Sequence, residues 1–146
     1  MSITYSVEEV KKPKLPYRII SIWLKQVVIQ FGYITGDLTY IFCSDEFLKD
    51  INVQYLNHDY YTDIVTFDYT EHGIISGDMF ISVNRVIENS QLFNCEPDIE
   101  FLRVIVHGLL HLLGFKDSSD DEKEVMRQTE NECLFMFKEI KDGCIK

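Results

Sequence analysis

The segment from Asp98 to Leu113 constrains this chain more than any other. Its apolar residues Ile99, Phe101, Leu102, Val104, Ile105, Val106, Leu109, Leu110, Leu112 and Leu113 cover nearly the whole circumference of a helix. A helix that is apolar all round has no face to offer to water and belongs at the centre of a fold. Pro97 suits its first turn, and Asp98 and Glu100 favour the positive end of the helix dipole. Gly114 ends it. Into this apolar helix the sequence sets two imidazoles, His107 and His111.

The other elements follow from hydrophobic periodicity. A short strand is expected over Ile3–Ser6, then a connection over 11–16, where Pro13 and Pro16 bias their predecessors away from helix. Ile19, Ile20, Trp23, Val27 and Phe31 recur at three- and four-residue steps and predict a helix over Tyr17–Phe31, stopped by Gly32. Leu38–Cys43 reads as a strand. Ser44 then caps a helix over Asp45–Leu56, with Phe47, Leu48, Ile51 and Tyr55 on its buried face. Asn57–Tyr61 is polar and loop-like. A strand over Ile64–Tyr69, a turn at Glu71-His72-Gly73 and a strand ending near Val83 read as a hairpin. Helices over Arg85–Phe93 and Asp121–Ile140 complete the chain. The last has a cap in Ser118-Ser119-Asp120 and a buried stripe of Val125, Met126, Thr129, Cys133, Phe137 and Ile140. Strands cluster early and helices late. The expectation is an α+β fold: a small mixed sheet of about four strands covered by helices, around the central helix.

At 146 residues a single domain over 1–146 is expected, able to bury a core without a disulfide. No apolar run reaches the ~18 residues of a membrane span. The N-terminal segment has no basic region leading into an apolar one, so a cytoplasmic protein without a membrane partner is expected. Cys43, Cys95, Cys133 and Cys144 are widely spaced with no C-x-x-C pair, which excludes a zinc ribbon and favours free thiols. The net charge of −10 argues against broad electrostatic binding of nucleic acid, and no DNA partner is expected. The charge is uneven, however. Residues 1–30 carry five bases and two acids, whereas residues 117–132 carry seven acids and two bases.

His107 and His111 lie four apart, so their rings project from one helix face one turn apart, a spacing that lets both bind one metal ion. A left-handed Gly114 would reverse the chain and bring Asp117 over them. Two imidazoles and a carboxylate then form a tripod for a divalent ion with one open position. The alternative is that backbone or carboxylate partners satisfy each histidine separately. A metallopeptidase would carry Glu directly after the first histidine as its base; here that residue is Gly108.

The run His107-Gly-Leu-Leu-His111-Leu-Leu-Gly114, with a third ligand position six residues after the second histidine, resembles the signature of the YbeY family. These are bacterial metal-dependent endoribonucleases and ribosomal RNA maturation factors. Asn52-Val-Gln-Tyr55, Thr62-Asp63-Ile-Val-Thr-Phe67 and Gly77-Asp78 resemble other blocks of that family in the same order. The resemblance implies metal ligands at His107, His111 and Asp117, with Asp117 standing where the family usually has His. It also implies a zincin-like arrangement of the central helix and one divalent ion, zinc foremost. Leu56 stands where the family usually has an arginine facing the cleft; Lys116, Arg85 and Arg103 are the candidates to replace that cation. Asp78 is a candidate to orient or deprotonate a water, or simply begins a strand. Asp63 equally fits a turn hydrogen bond, and His58 and His72 read as solvated loop residues.

The function this implies is cleavage of single-stranded RNA by a metal-activated water, in maturation of the 16S ribosomal RNA 3′ end and in ribosome quality control. Precursor 16S ribosomal RNA and the ribosome or small-subunit proteins are the implied partners. Two alternatives stand beside it: an assembly or RNA-binding factor with a structural metal, and a small zincin-like peptidase, against which Gly108 speaks.

Overall fold

The computed structural model describes residues 2–57 and 61–143. The elements run β1 (Ile3–Glu8), α1 (Tyr17–Gln30), β2 (Ile34–Cys43), α2 (Asp45–Leu56), β3 (Ile64–Asp68), β4 (Ile74–Ser82), α3 (Val83–Leu92), α4 (Pro97–Leu112) and α5 (Asp120–Asp142). The four strands form one mixed sheet in the order β1-β2-β4-β3. β1 and β4 flank β2 in parallel, and β3 closes the edge antiparallel to β4. The fold is therefore α+β, as the order of strands and helices predicts.

Strand alternation divides the sheet into two faces. Ile75, Met79 and Ile81 of β4, with Leu38, Tyr40 and Phe42 of β2, meet α1, α4 and α5 in the main core. Phe80 of β4 and Val65 and Phe67 of β3 pack instead with Leu48 and Ile51 of α2 in a smaller cluster. Helix α4 is buried on nearly every side, from Phe101 and Leu102 through Ile105 and Leu109 to Leu112. The Tyr40 hydroxyl donates to the Ile105 carbonyl at 2.9 Å, and the Trp23 indole donates to the Cys133 carbonyl at 2.7 Å. These bonds tie β2 to α4 and α1 to α5 through polar groups that would be costly to bury unpaired.

Several expectations shift in detail. β2 begins at Ile34, because Ile34 and Thr35 pair with Ile74 and Ile75 before a break in register ahead of Leu38. Tyr55 is 63% exposed, and Asn52, one turn earlier, takes the buried position on α2. On α5, Val125 faces solvent, and the buried stripe is Met126, Glu130, Cys133, Phe137 and Ile140. Ser119 and Glu122 form the capping box that starts this helix. Glu100, expected only as a dipole partner, is buried; that burial pushes its carboxyl up, with Arg103 opposing. Cys43, Cys95 and Cys133 carry free thiols, and burial pushes those of Cys43 and Cys133 up to about 12. Cys144 lies outside the described residues. Among the described residues no helix is long and apolar enough to cross a membrane.

Candidate metal centre

The C-terminus of α4 builds the site. Gly114 takes φ +102°, a region closed to most side chains. The Phe115 amide donates to Leu110 and the Gly114 amide to His111, each at 3.0 Å, the paired bonds of a Schellman turn. The turn sends the chain back toward α4 and lays Asp117 against both histidines. Phe115, held edge-on against Phe31, also presents its carbonyl to His111 Nδ1 at 3.1 Å. One glycine thus sets the place of Asp117 and the orientation of His111. Gly114→Ala is expected to cost about 1–2 kcal/mol. A thermal melt of the metal-free protein should then fall by roughly 2–8 °C.

Three atoms converge. His107 Nε2 lies 3.0 Å from His111 Nε2, and Asp117 Oδ2 lies 3.3 Å and 3.5 Å from these two nitrogens. Metal–ligand bonds of about 2.0–2.1 Å in a tetrahedron place neighbouring ligand atoms about 3.3–3.4 Å apart, so the triangle fits one ion. The outward nitrogens are occupied. His107 Nδ1 lies 2.5 Å from Glu130 Oε2, and His111 Nδ1 faces the Phe115 carbonyl. Both Nδ1 atoms therefore have acceptors, which directs both Nε2 lone pairs inward. Two lone pairs at 3.0 Å repel unless a proton or a cation lies between them. Two imidazoles and a carboxylate oxygen suit a divalent first-row ion. Burial lowers the affinity of His107 for a proton, but the Glu130 hydrogen bond and charge, with Asp117 and Asp63, outweigh it and hold this imidazole above its ordinary value. A proton there competes with a metal ion.

The tripod opens into a cleft of about 590 Å³ between α2, β3 and the end of α4. Asp63 lines it without joining the tripod; burial pushes its carboxyl up, against the pull of His107. Asp78 does not reach this cleft. On β4 it pairs with Phe67 and shares the α2 face of the sheet with Phe80, in a separate depression with Tyr69 and Glu9. Asp78 is not among the residues that line the cleft beside the tripod, whereas its neighbour Met79 turns to the α4 side of the sheet. His72 sits exposed in the β3–β4 turn as expected. His58 lies outside the described residues.

The family described as endoribonuclease YbeY matches residues 4–138. The chain belongs to the YbeY endoribonuclease family. It is 46% identical over 139 residues to endoribonuclease YbeY of Parabacteroides distasonis, covering 95% of this chain and 98% of that protein. It is 50% identical over 115 residues to endoribonuclease YbeY of Flavobacterium johnsoniae, covering 79% and 83% respectively. The solution structure of a Thermotoga maritima protein shares the fold, with a TM-score of 0.65 at 23% identity over 92% of this chain and 88% of that one.

Within the YbeY frame, the site's cations stand out by their positions. Among the described residues lining the cleft there is no lysine or arginine, and Leu56 is at its wall. The three candidate replacements lie elsewhere. Arg85 is paired with Asp45 at 2.7 Å and stacks on Tyr61. Arg103 is paired with Glu130 at 3.0 Å. Lys116 sits beside Asp121 and Glu122 in a different depression. Gly108 also gains a reason: a Cβ there would stand 2.8 Å from Ile64 Cδ1 and 3.0 Å from Met79 Cγ. The peptidase base has no room, since α4 presses this residue onto the sheet. Glu130 is the site residue that sequence reasoning missed. Its signal was a carboxylate in the four-three-four spacing of the apolar stripe Met126, Cys133 and Phe137.

Proposed function

We propose that this chain is a zinc-dependent, single-strand-specific endoribonuclease acting on the 3′ end of precursor 16S ribosomal RNA and in ribosome quality control, in the cytoplasm and as one domain over 1–146. The observation that carries this reading is the inward convergence of His107 Nε2, His111 Nε2 and Asp117 Oδ2 at a cleft open on one side. His107, His111 and Asp117 would hold the ion. When bound, it supplies Lewis acidity, which activates water and polarises a phosphoryl oxygen. Glu130 and the Phe115 carbonyl keep the two imidazoles aimed. Asp63 and Asp68 line the approach and disfavour phosphate away from the ion. The strand is therefore held by few ionic contacts, which fits an enzyme that meets its RNA on the ribosome through small-subunit proteins.

The absence of lysine and arginine from the described cleft lining favours one competing reading: an assembly factor whose metal is structural. A labelled single-stranded RNA spanning the 3′ end of precursor 16S ribosomal RNA decides between them. Wild type and His111→Ala are compared side by side after a folding check. Cleavage by wild type alone is expected, with product ends free of 2′,3′-cyclic phosphate. Cyclic ends would replace water by the ribose hydroxyl as nucleophile. No cleavage by either protein, with or without ribosomal subunits, would move the assignment to the assembly factor.

A further inference from the structure

Glu130 is 5% exposed on a helix stripe that is otherwise apolar. A buried carboxylate is expensive unless its oxygens are matched, and both of these are. Oε2 lies 2.5 Å from His107 Nδ1 and Oε1 lies 3.0 Å from Arg103 Nη1. Arg103 and His107 are one turn apart on α4, so a single carboxylate spans two consecutive turns of the helix that carries the tripod. Arg103 is held in turn, its Nη2 donating to Asn131 Oδ1 at 2.9 Å. The second histidine is oriented by a neutral backbone carbonyl, that of Phe115. The two imidazoles are thus supported unequally, one by a charged acceptor and one by a neutral one.

Resting on the metal reading above, we propose that Glu130, clamped by Arg103, is the positioning residue of the metal centre, fixing the His107 tautomer that presents Nε2 and strengthening this imidazole as a ligand. A carboxylate behind a metal-bound imidazole orients the ring and raises its donor strength, and its loss typically weakens metal affinity 10–100-fold. Packing alone does not require a charge here. Met126, Cys133 and Phe137 fill the neighbouring positions with apolar groups, and a buried ion pair often contributes no more than a hydrophobic pair of similar volume.

The test uses the full chain, stripped of metal and reloaded with Zn2+ or Co2+. Zinc affinity is measured by competition with a chromophoric chelator. The Co2+ absorption spectrum reports the ligand field, and the absence of a thiolate charge-transfer band assigns the ion to the histidine site. Glu130→Met is expected to weaken zinc binding about 10–100-fold. It should also shift the Co2+ bands, and the metal-free melt should fall as well because Arg103 loses its buried carboxylate partner. Glu130→Gln keeps an acceptor for Nδ1 without the charge, and is expected to lose less affinity than Glu130→Met. It also serves as the second variant if Glu130→Met does not fold. Zinc affinity and Co2+ bands unchanged in either folded variant, with only the metal-free melt lowered, would overturn the proposal and leave Glu130 as an α4–α5 pairing residue. A wild-type protein that binds neither ion would instead overturn the metal reading beneath it.

Discussion

Asp117→Ala is expected to give a folded protein that neither cleaves RNA nor holds zinc tightly. Asp117 lies in the turn after α4, its side chain 40% exposed, and among the described residues its carboxylate meets the two histidines. Removing it leaves no cavity in the core, so the metal-free stability should change by no more than about 0.5 kcal/mol. Zinc affinity should fall by more than the roughly 10–100-fold that an outer-shell change costs, because a direct ligand is lost. Asp117→His supplies a nitrogen donor from the same turn and is expected to restore binding and cleavage. Chelator competition, a melt after metal removal and the RNA assay read the three effects. A variant that unfolds would make the metal structural, and one that still cleaves would remove Asp117 from the site.

Leu56→Arg is expected to raise kcat/KM for single-stranded RNA about 10–100-fold. Leu56 lies at the C-terminus of α2, 39% exposed and on the cleft wall, where a longer side chain reaches solvent and substrate without displacing the core. A hydrogen bond to a charged group contributes about 1.5–3 kcal/mol. Each 1.4 kcal/mol is about tenfold. With few cations near the cleft, binding by the parent should depend only weakly on salt. One added phosphate contact should steepen the slope of log K against log salt by about 0.7. Leu56→Met controls for side-chain length without charge. An arginine variant no better than the methionine one would place the RNA backbone away from this wall.

The pattern of the chain made much of this architecture readable. The apolar circumference of residues 98–113 announced a buried helix, and α4 is buried on almost every side. The His-x-x-x-His spacing and Gly114 announced the tripod, because helix geometry and the left-handed turn are local properties of the backbone. Asp78 was less legible for the opposite reason. Its place in a family-like block says which strand it occupies but not which face, and a strand turns successive side chains to opposite sides. Tyr55 and Val125 failed because helical periodicity gives the direction of an apolar face only to within about one residue.

Glu130 marks the boundary between the two kinds of information. Twenty-three residues separate it from His107, and nothing local to α5 says what a carboxylate in its apolar stripe meets. The same holds for Arg85 and Arg103, whose sequence positions are compatible with substrate-binding cations and which the tertiary structure pairs with Asp45 and Glu130. Short-range patterns determined the elements, the central helix and the convergence of His107, His111 and Asp117, since these depend on spacing along a single helix and its turn. Only the packing of α4 against α5 and the sheet decided which charges are neutralised, which carboxylate stands behind His107 and which residues line the cleft. Those pairings join residues distant in the chain, and burial rather than sequence spacing dictates the partners they must find.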